Sequence, residues 1–308
     1  MAKDAGLTPQ RVRTLVGRGR LRRVLQGVYV DARAPDTVDA RAGAAALVVP
    51  PGHVLGRMAA AWVFGVPPLL PGAHLKPPPL DMLGPAGTSA LRRDGVRGRV
   101  AVLPDEDVTV IGQVRLTVPA RTTLDLAREL ERPHGLAYVD AMLRAEVVSP
   151  ESLRAGLERL GGFPWVEQAR ELVALGDPRA ESPGESWMRL RWLDAGLPEP
   201  DLQIPALLNG RVFARIDAGV EKRRFGFEYD GEEFHGPEQQ AFDAARREWL
   251  RRERGWRMLA FGKGETLGRG VAFEAAIAEV FGLEPQVVPW ELRRRTYLHR
   301  RRRSTKPA

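Results

Sequence analysis

The apolar positions of the chain change period several times, and each change predicts an element. Val12, Leu15 and Val16 recur at helical spacing, with Arg11, Arg13 and Arg18 on the opposite side. The helix has a well-marked start: Thr8 suits the cap, Pro9 the first position, and Leu7 and Val12 a hydrophobic staple. Gly17-Arg18-Gly19 breaks it, and residues 20–30, with Arg20, Arg22 and Arg23, read as a turn followed by a basic strand. Residues 38–66 read as alanine-rich helix interrupted at Val49-Pro50-Pro51-Gly52, and residues 67–79 as a proline-rich loop. Strands are expected at 100–103 and, by alternation, at 108–118; helices are expected near 121–131, 136–145 and 152–160.

A turn-rich break at residues 176–180 marks a domain boundary. Beyond it Ser182 caps a helix with Pro183 at its first position, Trp187, Leu190 and Leu193 on its buried face and Gly196 at its stop. Two short strands follow. Val212, Ala214 and Ile216 share one face of the first, against Phe213, Arg215 and Asp217; Phe225, Phe227 and Tyr229 share one face of the second, against Gly226, Glu228 and Asp230. If residues 221–224 hold the reversal, Asp217 lies diagonal to Glu228, about 7–8 Å away. One divalent cation can bridge that gap with water. Asp217, Glu228 and Asp230 on one ribbon repel, so a positive charge is expected among them. A basic helix over 238–254 with Arg246 and Arg247 outside, a strand over 255–261 and a helix over 271–281 complete the pattern.

Composition narrows the chemistry. At 308 residues the chain can hold two domains. The absence of cysteine excludes disulfides and thiol nucleophiles. A net charge of +8 favours a polyanionic partner, nucleic acid first, against the plainer explanation of a coding bias toward arginine. The apolar windows at 44–49 and 59–70 fall short of the roughly 20 residues that span a bilayer, so a soluble cytoplasmic protein with no membrane partner is expected. Residues 291–308 carry seven Arg and one Lys against one Glu, a basic tail suited to non-specific phosphate contact.

Two resemblances build on these patterns. Gly6-Leu7-Thr8, Gly19-Arg20-Leu21-Arg22-Arg23 and Gly27-Val28-Tyr29-Val30 resemble the winged-helix part of the abortive-infection (type IV toxin–antitoxin) antitoxin family. The likeness continues through Gly56-Arg57-Met58-Ala59-Ala60-Ala61-Trp62-Val63-Phe64-Gly65 and through Val118-Pro119-Ala120-Arg121-Thr122-Thr123-Leu124-Asp125-Leu126-Ala127. It implies that Arg11, Arg13, Arg18, Arg20, Arg22 and Arg23 contact DNA, although only six residues precede Leu7, so the winged helix is partial. Over about residues 180–265 the chain resembles the very-short-patch-repair-like branch of the PD-(D/E)XK endonucleases. Gly184-Glu185-Ser186, Gly196-Leu197-Pro198 with Pro200 and Gln203, Arg215-Ile216-Asp217, Glu228-Tyr229-Asp230-Gly231, His235, Asp243 with Arg246, and Gly255-Trp256 carry that likeness. It implies Mg²⁺, or Mn²⁺, held by Asp217 and Glu228 with Asp230 joining, Glu185 helping from its helix and His235 shuttling a proton. Arg215, Arg246 and Arg247 are candidates for phosphate contact. The superfamily's lysine position falls on Asp230, a departure that bears on activity more than on fold.

The expected architecture is mixed α/β (α+β): a partial winged-helix region at 1–66, an antitoxin-like scaffold at 67–178, a restriction-endonuclease-like mixed sheet flanked by helices at 179–285, and a basic tail at 286–308. Three functions compete: a Mg²⁺-dependent DNA endonuclease of defence or repair, a DNA-binding antitoxin-type regulator whose nuclease-like half only grips DNA, and an RNA-directed toxin nuclease. A cognate toxin and a homodimer are further candidate partners.

Overall fold

The computed structural model describes residues 6–72, 78–231, 237–282, 284 and 286–295, which divide into two compact units, Met1–Leu126 and Ala127–Ala308. Both are mixed α+β. No described helix is long and apolar enough to cross a membrane.

In the first unit α1 (Pro9–Gly17) starts as its sequence predicts, with the Thr8 hydroxyl accepting from the Arg11 N–H at 3.2 Å. The basic strand after it is an antiparallel hairpin of β1 (Leu21–Leu25) and β2 (Val28–Asp31), because Gly27 takes a φ of +78° and reverses the chain. Next come α2 (Val38–Ala46), β3 (Val54–Leu55) and α3 (Arg57–Val63), so the alanine-rich stretch holds a short strand between its helices. Then β4 (Leu80–Gly84), β5 (Val96–Val100), β6 (Val108–Ile111) and β7 (Val114–Thr117) complete a mixed sheet in the order β5-β4-β3-β7-β6. The expected long strand at 108–118 is a hairpin folded at Gly112, whose φ is +59°. The strand expected at 100–103 ends at Val100. The helix α4 (Pro119–Glu129) carries Arg121, whose buried guanidinium bridges Asp107 at 2.6 Å and Asp125 at 3.1 Å.

The second unit opens with α5 (Arg132–Arg144), α6 (Pro150–Arg159) and α7 (Val166–Ala174), and then α8 (Pro183–Asp194), capped by Ser182 as expected. A four-stranded sheet follows, from β8 (Asp201–Leu208), β9 (Arg211–Val220), β10 (Phe225–Tyr229) and β11 (Arg257–Phe261), in the order β11-β10-β9-β8. The pair β10–β11 is parallel and the others antiparallel. A parallel pair needs a crossover, here α9 (Pro237–Arg254). The short α10 (Lys263–Leu267), α11 (Ala272–Phe281) and α12 (Trp290–Arg294) end the described chain. On one face of the sheet, Met188 and Trp192 from α8 and Phe273 and Ile277 from α11 bury Ala218, Phe225 and Phe227. The Trp192 ring stacks on Phe227 at 4.9 Å. On the other, Leu250 from α9 packs on Ile204, Ala206, Ala214, Ile216 and Met258.

Helix α8 is covered on nearly every side, and Arg189 and Arg191 are buried with its apolar residues. Arg189 pairs with Asp140 of α5 at 3.0 Å, Arg191 with Glu274 of α11 at 2.7 Å, and Asp194 with Arg132 of α5 at 2.8 Å. The turn at residues 176–180 lies inside this unit: the Asp177 N–H donates to Asp140 Oδ1 at 2.8 Å. Removing one partner from a buried pair strands the other charge. Asp140→Ala should therefore lower the unfolding free energy by about 3–5 kcal/mol in a urea titration. Joint replacement by Asp140→Leu and Arg189→Met should recover most of it.

Candidate functional site

The site forms where α8, β9 and β10 meet. The first turn of α8 lies against the Tyr229 ring: a Cβ on Gly184 would come within 2.1 Å of it, so only glycine lets the helix approach this closely. Glu185, the next residue, thereby reaches the end of the sheet. Its carboxylate Oε2 accepts from the Gln203 side chain and from the Glu181 N–H, each at 2.8 Å. Gln203 holds a φ of +52°, which costs about 1 kcal/mol or more for a residue with a side chain. The strain accompanies a change of facing: Ile216 and Ala218 have equal parity on β9 yet pack into opposite layers, so the strand turns over at Asp217, level with Gln203.

The reversal at residues 221–224 occurs as expected, but the register differs. Phe227 pairs with Ala218, and one further step sets Glu228 directly opposite Asp217 instead of diagonal to it. Opposite residues are about 5 Å apart at Cβ. Asp217 Oδ2 accepts from the Tyr229 N–H at 2.9 Å. Glu228 Oε2 accepts from Arg246 of α9 at 3.0 Å, while its Oε1 is buried without a hydrogen-bond partner. Burial pushes the Glu185 and Asp217 carboxyls up to about 7 as a pair, with the Asp217 charge adding to the rise at Glu185 and the Glu228 charge to that at Asp217. Burial also raises Glu228, against the pull of Arg246. The cluster has more negative charge than its one close cation offsets.

The other expected members are placed differently. Asp230 is half exposed and pairs with Arg247 at 3.3 Å, so the third acid of the ribbon has its own cation. Arg215 pairs with Glu181 at 2.6 Å and Arg246 lies 3.8 Å from Asp243, so all three arginines assigned to phosphate lie against carboxylates. His235 lies outside the described residues. Among the described residues no three His, Asp or Glu side chains form a ready metal cage. The donor chemistry nevertheless fits Mg²⁺, which binds through one or two carboxylates plus substrate phosphate, and the unpartnered Glu228 Oε1 supplies a buried oxygen for it. The holding of Glu185 by Gln203 escaped the sequence, since nothing local links residues 18 apart.

In the first unit, Arg11, Arg13, Arg18, Arg20 and Arg23 are exposed on α1 and the β1–β2 hairpin. Arg22 is half-buried and donates to the Ala34 carbonyl at 3.2 Å, which makes it part of the hairpin's support. Residues 54–175, from β3 through α7, match the AbiEi antitoxin C-terminal domain. Both longer antitoxin-like motifs, at 56–65 and 118–127, fall inside that match, which stops short of residues 180–265. The chain belongs to one family with two uncharacterized proteins of Mycobacterium tuberculosis, from strains CDC 1551 and H37Rv. Each is 33% identical to it over 263 residues, covering 82% of this chain and 89% of the relative.

The acid cluster has a pH signature. Carboxyls raised in the fold keep protons that the unfolded chain has already released, so stability falls as pH rises from about 4 to about 7. Asp217→Asn should flatten this fall and raise the thermal midpoint above pH 7, by about 2–4 °C for each 1 kcal/mol of repulsion relieved. Calorimetry across that window checks it; a steeper fall in the variant would refute the cluster's electrostatics.

Proposed function

We propose that the protein is a DNA-binding regulator of the antitoxin type, acting in the cytoplasm. The observation that carries this reading is the match of residues 54–175 to the AbiEi antitoxin C-terminal domain. Its support is the basic helix and ribbon that precede the matched residues in the first unit. An α-helix has the width of the major groove, and a β-ribbon beside it grips the backbone as a wing. A toxin counterpart and a homodimer belong to the same reading. The test titrates the full chain against duplex DNA from upstream of its own gene, with a shuffled duplex as control, over a range of salt. Replacing Arg11 and Arg13 by Ala should weaken binding and reduce the slope of log affinity against log salt by about 0.9 for each phosphate that is no longer neutralised. Unchanged affinity and slope would overturn the assignment of these arginines to DNA.

A second reading is favoured by one observation, the convergence of Glu185, Asp217 and Glu228 with an unsatisfied buried oxygen. In it the second unit is a PD-(D/E)XK-like endonuclease. Mg²⁺ held by Asp217 and Glu228 would polarise the phosphoryl oxygen and acidify a water. Glu185, fixed by Gln203 and titrating near neutrality, would hold or release a proton beside it, and Arg246 would leave Glu228 for a phosphate oxygen. Millimolar Mg²⁺ near pH 8 should raise the thermal midpoint of the wild type and leave that of Asp217→Ala unmoved. Plasmid nicking with Mg²⁺ or Mn²⁺ should likewise vanish in Asp217→Ala. Binding of DNA with no nicking in either metal would leave the regulator alone.

A further inference from the structure

The β8–β9 hairpin runs past the part of the sheet that α9 covers, and its tip is apolar. The buried contacts with α9 end at Ala206 and Ala214. Beyond them Leu207, Leu208, Val212 and Phe213 are 48%, 37%, 58% and 43% exposed, on either side of the Asn209-Gly210 turn. The register divides them between the two faces of the ribbon, Leu207 with Val212 on one and Leu208 beside Arg211 on the other, so both flanks of the tip expose apolar surface. The tip is also rigid. Ala206 pairs with Ala214 and Leu207 with Val212, which leaves Phe213 as the extra residue of a β-bulge. Bulges re-aim side chains, and here the Phe213 ring meets Trp249 of α9 edge-on at 4.7 Å. Arg254 lies over the Trp249 ring at 5.0 Å and donates to the Leu207 carbonyl, tying the tip to the end of α9.

Charge indicates what the tip meets. No carboxylate occurs between Asp201 and Asp217, while Arg211 stands exposed at the turn. Pro205 interrupts the donors of β8, the edge strand, which closes that edge to an added strand from a second copy. A narrow tip with apolar flanks and an exposed guanidinium suits duplex DNA, where Leu, Val and Phe wedge between base steps while Arg meets phosphate. We propose that this hairpin tip is a DNA-inserting wedge, with Leu208 and Val212 on the two faces just behind its Asn209-Gly210 turn and Arg211 on the adjacent backbone. The inference rests on the DNA-binding reading. Val212 is five residues from Asp217 along β9, about 17 Å at 3.4 Å per residue.

Insertion unwinds the duplex, so the test measures linking number. Closed circular plasmid is relaxed by a metal-independent topoisomerase I in chelator with increasing full-length protein, and affinity is followed in parallel by anisotropy on a linear duplex. The wild type should shift the linking-number distribution in proportion to the amount bound. The double variant Leu208→Ser with Val212→Ser, altered only at exposed sites, should bind about tenfold more weakly and, at saturation, leave the linking number unshifted. A second variant, Arg211→Ala, should lower the salt dependence of binding but keep the unwinding. Unwinding by the serine variant equal to that of the wild type overturns the wedge, as does a wild type that binds without unwinding. A serine variant that loses self-association in sedimentation while behaving as wild type on DNA assigns the tip to a second copy instead. A wild type that leaves DNA unbound sinks the DNA reading and the wedge with it, whereas the other failures leave that reading standing.

Discussion

Helix α8 is held by charge withdrawn from water, and the acid cluster depends on where that helix stands. Arg189, Arg191 and Asp194 each meet an opposite charge from α5 or α11 inside the core. Such pairs add little net stability, because desolvation offsets most of their attraction. They do fix direction, since a guanidinium and a carboxylate that miss each other in the interior are both stranded. The helix is buried around most of its circumference, and these pairs help to set its rotation. With the rotation fixed, Gly184 meets Tyr229 and Glu185 arrives beside Asp217.

The cluster that results has the character of a site more than of a structural network. Elsewhere acids meet their own donors: Arg121 bonds Asp107 and Asp125, and Asp140 accepts from both Arg189 and Asp177. At the end of β10 the buried Glu228 and the half-buried Glu185 and Asp217 share one close cation, Glu228 Oε1 has no partner, and Gln203 is held in a left-handed backbone conformation. Uncompensated charge and stored strain in one place are what a ligand relieves. The first unit concentrates the opposite sign, with exposed arginines on a helix and ribbon ahead of an antitoxin-type sheet. Both arrangements suit a phosphate polymer, the first through its cations and the second through a bridging metal.

Local chemistry was legible in the sequence wherever it was strong. Thr8 and Ser182 each cap the helix expected of them, because a cap is decided within four residues. The reversal at 221–224 and the acids that flank it could be read for the same reason. Turns that rest on a single glycine were not: Gly27 and Gly112 fold two expected strands into hairpins, and neither is marked by more than the glycine itself.

By itself the sequence determined the mixed α+β class, the antitoxin likeness now matched at residues 54–175, the helix starts, and the presence of Asp217 and Glu228 on neighbouring strands. Only the tertiary structure decided which acids converge. Glu185 is brought in from α8 and anchored by Gln203, while Asp230, two residues from Glu228, is turned out to Arg247. The physical reason is range: caps and alternation act over a few residues, whereas α8 is tied in place by buried pairs between residues 49 and 83 positions apart.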